Sequence, residues 1–208
     1  MPDRLAQDFP LFPLGLVALP GEAIPLHIFE DRYKSMMDEC LREDREFGIV
    51  WLSDEGLREI GCACRIERVL ERMDDGRMNV LTRGTWPVRV LERQAHLAYP
   101  AGVVEFIQDR PEEPDPDLAT IAHATYADLV KRATDAEPDE PELAAMSAYD
   151  MAATVDFGLD AKQGLLDLRS ENARLRLVTR LFRAAIKRLD FVDRAQARAR
   201  SNGKVRFG

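Results

Sequence analysis

The opening of the chain sets out short apolar runs whose period changes from one to the next. Leu11 to Leu14 is a proline-marked apolar run, and Leu19-Pro20-Gly21 then supplies what a type II turn needs: fixed φ at Pro20 and tolerated positive φ at Gly21. Ala23 to Phe29 reads as a second strand. From Glu30 to Glu43 the pattern becomes helical, with Tyr33, Met36, Met37, Cys40 and Leu41 on one face, and Phe47 to Leu52 returns to a strand. The predicted order is strand, turn, strand, helix, strand, with no nucleophile and base paired within it.

Gly56 to Arg72 predicts a long β-rich stretch in which Ile60, Cys62, Cys64 and Ile66 alternate before Val69 falls out of phase. One extra residue turns every later side chain to the other face, so a bulge is expected near Glu67 or Arg68. Asp75-Gly76 then sits as a two-residue type I′ turn would. Met78, Val80 and Thr82 alternate after it, Trp86, Val88 and Val90 resume that phase beyond Gly84, and Ala101 to Ile107 makes a further strand. About six strands with short turns and one early helix predict a small closed or nearly closed β-barrel, since closure removes exposed edges.

Residues 109–117, with three prolines and only polar partners, can be neither helix nor central strand and read as a linker. Beyond it the period is helical. Leu118, Ile121, Ala122, Thr125, Leu129 and Val130 share one face. Leu143, Met146, Asp150, Ala153 and Phe157 share the next, after the breaker Glu137 to Pro141. Asp160 with Gln163 resembles a capping box, and Ser170 can cap a longer helix whose stripe of Leu175, Val178, Leu181, Phe182, Ala185, Ile186 and Leu189 reads as core.

Composition narrows the class. The 208 residues, 46% hydrophobic and 32% charged, suit one compact unit or a domain with a helical subdomain. No apolar run approaches the roughly 20 residues of a membrane helix, and the start has no signal-peptide pattern, so a cytoplasmic protein is expected. Three cysteines are a poor disulfide design. Cys62 and Cys64 lack the second pair a zinc site would need, and His27, His96 and His123 have no ligand at metal-site spacing, so no metal is expected. The net charge is -8, yet Lys187, Arg188, Arg194, Arg198, Arg200, Lys204 and Arg206 make the C-terminal end basic against Asp190 and Asp193 alone. An acidic body disfavours a broad nucleic-acid surface and leaves room for a basic arm.

The sequence lacks the motifs that would carry catalysis. Gly203-Lys204 lacks the leading glycine and the hydroxyl residue of a P-loop, no serine stands in a G-x-S-x-G elbow, and the many carboxylates read as turn formers and solvated charge. Neither a catalytic residue nor a cofactor is expected.

Phe12-Pro13-Leu14, Leu19-Pro20-Gly21, Pro25-Leu26-His27-Ile28-Phe29-Glu30 with Arg32-Tyr33, and Phe47-Gly48-Ile49-Val50 occur in order. Together they resemble the N-terminal substrate-binding domain of Lon proteases. Ile60-Gly61-Cys62-Ala63, Asp75-Gly76-Arg77 and Thr82-Arg83-Gly84 resemble its long hairpin, and Gln163-Gly164-Leu165-Leu166-Asp167 with Arg174-Leu175 its helical end, so the likeness covers Leu11 to Leu189. The resemblance implies an α+β fold, with a PUA-like β-pseudobarrel over residues 8–108 and a helical subdomain over 118–192; composition and charge add the linker 109–117 between them and a disordered basic tail over 193–208. Full-length Lon proteases add an ATPase and a Ser-Lys protease after this domain, and this chain ends about where those would begin. The implied task is non-catalytic recognition of unfolded or exposed polypeptide in protein quality control, with a protease or chaperone as a further partner. Adaptable apolar side chains would serve it, and Met36, Met37, Met73, Met78 and Trp86 are the candidate peptide contacts. The alternative is RNA binding through the basic tail, since PUA-like barrels elsewhere bind RNA. A third reading is a small-molecule pocket in the barrel or at its helical junction.

Overall fold

The computed structural model describes residues 4–202, the side chains of residues 193 and 196–202 excepted. Its sheet is built from β1 (Leu5–Leu14), β2 (Ala23–Ile28), β3 (Phe47–Ser53), β4 (Gly56–Leu57), β5 (Ile60–Arg72), β6 (Met78–Gln94) and β7 (Ala101–Phe106). Strand order runs β1-β7-β6-β5-β3-β4, and β1 also pairs with β3, so five strands close on themselves. The parallel pairing of Leu11 to Leu14 with Gly48 to Trp51 makes the closure. Inside it lie Phe9 and Leu11 of β1, Val50 of β3, Ala63 of β5, Val88 of β6, and Val104 and Phe106 of β7. Alternation explains that set, because inward residues recur at every second position of each strand.

The long β6 holds two neighbours on one edge: β7 along Val88 to Gln94 and β2 along Met78 to Arg83. The Leu19-Pro20-Gly21 turn therefore hands the chain to β6, not back to β1. Gly21 has φ +81° and Glu22 N donates to Leu19 O at 3.1 Å, the type II geometry expected. The turn docks on Gly84, which exchanges bonds with it, Gly21 N to Gly84 O at 2.9 Å and Gly84 N to Glu22 O at 3.0 Å.

On β5 the predicted bulge is present: the register shifts between Ile66 and Arg68, leaving Glu67 unmatched. The hairpin beyond it differs from expectation. Gly76 N donates to Met73 O at 3.0 Å, Met73 N to Arg77 O at 2.9 Å, and Gly76 alone in the turn has positive φ. A type I′ turn needs positive φ at both central residues, so this is a three-residue loop closed by a left-handed glycine. A second shift between Ala63 and Cys64 leaves Thr85 unmatched on β6, which interrupts the single phase expected from Met78 to Val90.

The helix α1 (Asp31–Glu43) buries Tyr33, Met36, Met37 and Cys40, as its period predicts, while Leu41 stands at the margin of the stripe and is exposed. It ends at Asp44, whose left-handed backbone N–H returns to Cys40 O. Tyr33 packs on Phe12 with ring centroids 4.2 Å apart, and Lys34 and Asp38 tie the helix to the hairpin through Asp75 O (3.1 Å) and Arg72 (2.8 Å). Met36, Met37 and Met78 are fully buried.

The remaining helices are α2 (Pro116–Thr134), α3 (Glu140–Ala145), α4 (Ala148–Ala152), α5 (Leu159–Leu166) and α6 (Glu171–Asn202). The chain divides into two compact units, one taking everything up to Glu112 together with Tyr149–Glu171, the other Glu113–Ala148 and the chain from Asn172 onward. The helical run expected over 118–192 is thus interrupted, because Tyr149–Glu171 belongs with the sheet. There Gln163 Nε2 donates to Ile60 O at 3.1 Å, and Lys162 pairs with Glu22. Gln163 also donates to Asp167 at 2.9 Å, and α5 starts at Gly158 without a side-chain cap, so the Asp160–Gln163 capping box does not form.

In the second unit, α2 begins inside the expected linker. Asp115 caps it, accepting from Asp117 N and Leu118 N at 3.1 and 3.3 Å, with Pro116 at the first helical position. Its buried residues are Ala122, Tyr126 and Leu129, whereas Ile121 is exposed, so the packed face is rotated from the one expected. Tyr126 meets Phe182 of α6 with centroids 5.4 Å apart. The predicted second helix breaks at Met146, giving α3 and α4. The backbone of α6 continues as helix past residue 193, where a disordered tail was expected; residues 203–208, with Lys204 and Arg206, lie outside the described residues, as do the side chains of Arg198 and Arg200. Among the described residues no helix is long and apolar enough to cross a membrane.

Candidate functional site

The five sequence-predicted contacts do not form one surface. Met36, Met37 and Met78 are core residues, and a side chain with no exposed surface cannot adapt to a ligand. Met73 is half-buried at the hairpin loop, and Trp86, 38% exposed, stands farther along β6 beyond the Thr85 bulge. The helical period placed Met36 and Met37 on one face, and strand alternation placed Met78 with Val80, but neither period says whether such a face meets water.

An apolar groove lies instead where β1, β4, the N-terminal turn of α1 and the segment between β6 and β7 converge. Two adjoining hollows of about 460 and 470 Å³ share Pro13, Leu57, Pro100, Arg32 and Arg93. Leu11, Leu97 and Tyr99 line one, and Phe12, Tyr33 and Leu52 the other, with Leu52 itself 52% exposed. The barrel creates this groove by its closure: inward Leu11 and outward Phe12 are consecutive on β1, and Leu11 N donates to Pro100 O at 2.8 Å, bringing the β6–β7 segment onto the strand end.

Two guanidiniums border the groove in different states. Arg32 is held by Glu30 (2.7 and 2.9 Å) and lies over the Tyr33 ring at 4.6 Å. Arg93 has no ion pair among the described residues, which leaves its donors available to a ligand carbonyl or carboxylate. Burial raises the Tyr33 hydroxyl above its usual range, with Arg32 opposing and Glu30 reinforcing, so at neutral pH it remains a phenol able to donate.

Elsewhere burial and hydrogen bonds shift several titratable groups away from catalytic use. Burial pushes the Cys40 thiol up to about 12 and Cys62 well upward, and a protonated thiol is a poor nucleophile. Hydrogen bonds from Arg42, Arg83 and Lys131 hold Glu43, Glu67 and Glu137 below the usual carboxylate range, and the Arg77 backbone N–H does the same for Asp75. Such groups stay ionised and are unsuited to donating a proton at neutral pH. His27 bonds Asn79 Oδ1 at 2.7 Å, His96 meets Asp8 at 3.0 Å, and His123 bonds Met146 O at 2.8 Å. Cys40, Cys62 and Cys64 are free and buried, and no group of three or more His, Cys, Asp or Glu is placed to hold a metal among the described residues.

The sequence reading passed over Leu57, Leu97 and Arg93. Of these only Leu97 has a local signal, standing with Tyr99 in the short stretch Ala95 to Pro100 that is apolar but for His96.

Comparison with known proteins gives this arrangement a context. Residues 8–184 match the family described as the ATP-dependent protease La (LON) substrate-binding domain. The chain is 24% identical over 198 residues to Lon protease 2 of Myxococcus xanthus, an alignment covering 86% of this chain and 24% of that protein. It is 27% identical over 209 residues to a LON peptidase N-terminal domain and RING finger protein of Schizosaccharomyces pombe, covering 87% of this chain and 42% of that one. The chain therefore spans about a quarter to two fifths of the length of these relatives. Among solved structures it resembles a Lon N-terminal domain protein of Xanthomonas campestris, with TM-score 0.62, 26% identity and coverage of 81% and 94% of the two chains. The N-terminal domain of a Mycobacterium avium complex Lon protease shares the fold at TM-score 0.58 and 18% identity, covering 84% and 97%. With its closed sheet, its helices and a family match over most of its length, the chain belongs to the LON substrate-binding domain family.

Proposed function

We propose that this chain binds exposed apolar segments of other polypeptides in the groove around Pro13, Leu57 and Pro100, without altering them chemically. Its role is substrate recognition in cytoplasmic protein quality control, with a protease or chaperone acting on what it holds. The observation that carries this reading is an open apolar groove bordered by Arg93, a cation with no ion pair among the described residues. Apolar contact supplies affinity across many sequences, and guanidinium donors can meet main-chain carbonyls, which every polypeptide offers. Ordering a disordered segment costs a few kcal/mol, so dissociation constants of about micromolar or weaker follow.

Titration of a fluorescent unfolded polypeptide at increasing salt tests this. Apolar capture should weaken little. An RNA ligand held by basic side chains would instead lose affinity with a log-log slope of about -0.7 per phosphate contact. RNA bound at physiological salt with no affinity for unfolded polypeptide would overturn the proposal.

A further inference from the structure

A second cavity lies at the other end of β7 from the groove, within the unit that contains the sheet. It measures about 270 Å³ and is lined by four arginines, Arg4, Arg89, Arg110 and Arg169, against two carboxylates, Glu105 and Asp109. The local excess of two positive charges stands in a chain whose net charge is -8. Solubility does not call for such a reversal inside a cavity, and like charges held together without a counter-ion repel.

The side chains are placed by specific bonds. Glu105 accepts from Arg4 Nε and Nη2 at 3.0 and 2.8 Å and reaches Arg89 at 3.7 Å, so one carboxylate fixes two guanidiniums side by side. Arg169 donates through Nε to Gln108 O at 3.1 Å, and its own carbonyl accepts from Arg110 N at 3.0 Å, which holds the 108–110 segment as a wall. The Arg110 guanidinium has no ion pair among the described residues. Phe106 and Ile107, nearly buried, complete the lining with apolar surface.

Planar guanidinium forks match the oxygens of a phosphate, and an excess of two charges matches a phosphate monoester, which carries about -1.5 to -2 at neutral pH. We propose that this cavity binds the phosphate group of a small phosphomonoester, with the apolar wall against its carbon part. The site is independent of the polypeptide groove.

Isothermal titration of the full chain with inorganic phosphate, glycerol 3-phosphate and acetate at constant ionic strength tests the assignment. The expected result is saturable one-to-one binding of phosphate and the phosphomonoester and none of acetate. Affinity should strengthen as pH rises through about 6, where the second phosphate proton leaves. Arg110→Gln should weaken binding about tenfold or more, a loss comparable to one charge-assisted hydrogen bond. Arg169→Gln should do the same if it folds; Arg110, which is exposed, carries the test if it does not. Equal responses to phosphate and acetate, or unchanged phosphate affinity in Arg110→Gln, would overturn the proposal. So would a single-stranded RNA lacking terminal phosphate that displaces phosphate and binds more tightly, since the ligand would then be a nucleic-acid backbone.

Discussion

Lys162 and Glu22, 140 positions apart in sequence, form an ion pair in which each side chain is only 14% exposed. Glu22 Oε2 also accepts from Leu19 N at 3.0 Å, so one carboxylate ties the Leu19–Glu22 turn to itself and to α5. Removing the cation strands a largely buried carboxylate. Lys162→Ala should destabilise the chain by about 2 kcal/mol, between the values for exposed and fully buried pairs. Thermal melting should drop by about 4–8 °C, and the double variant Glu22→Gln/Lys162→Met should recover part of the loss. An unchanged melting temperature in the single variant would show that the pair holds nothing.

Gly84 tests the docking of the same turn. A Cβ built there would lie 2.1 Å from Leu19 O and 2.8 Å from Leu19 C, both backbone atoms that cannot swing away. Gly84→Ala should cost about 3 kcal/mol or more, or abolish soluble expression. Gly15→Ala, with nothing within 4 Å of the added Cβ, should be nearly neutral. Similar melting curves for the two variants would refute the close approach.

The thiols define a pH window. Cys40 has an ordinary value of 9.0 when exposed and about 12 when folded, so above 9 the unfolded chain releases a proton that the folded chain retains. Stability is therefore flat with respect to this group below 9 and falls as pH rises toward about 12, with buried Cys62 acting in the same direction. Guanidinium melts at pH 8, 9.5 and 11 should show the decline begin above 9. Iodoacetamide at pH 8 should label none of the three cysteines in the folded chain and all of them in denaturant.

Helix capping separates two acidic residues that look alike in sequence. Asp115 accepts from two backbone N–H groups at the start of α2, so Asp115→Ala should cost about 1 kcal/mol, while Asp160→Ala, at a helix whose start has no side-chain cap, should cost little. Chemical denaturation measures both. The reverse order would place the cap wrongly.

What could be read from the chain depended on the range of the interaction. The Pro20-Gly21 turn and the Glu67 bulge were legible because φ restraints and strand phase act over a few neighbouring residues. The α+β class and closed sheet followed from strand spacing and family likeness. The Asp75-Gly76 turn was misjudged because Met73, two positions earlier, closes the loop. Pairing of β2 with β6, across fifty to sixty positions, has no local signature. The buried state of Met36, Met37 and Met78 depends on what packs over their face, which no period encodes. The groove was illegible for a related reason: Pro13, Leu57, Arg93 and Pro100 meet only after the barrel closes.

The central claim is that this groove captures polypeptide, and fluorescence anisotropy with a labelled, permanently unfolded polypeptide tests it most directly. Leu57→Asp and Leu97→Asp each place a charge in the groove, and each should weaken binding about tenfold or more, an effect of about 1.4 kcal/mol or larger. Leu91→Asp, at an exposed apolar position outside the groove, and Trp86→Ala should bind as the unaltered chain does. Undiminished binding by both groove variants, with melting temperatures showing them folded, would contradict the claim.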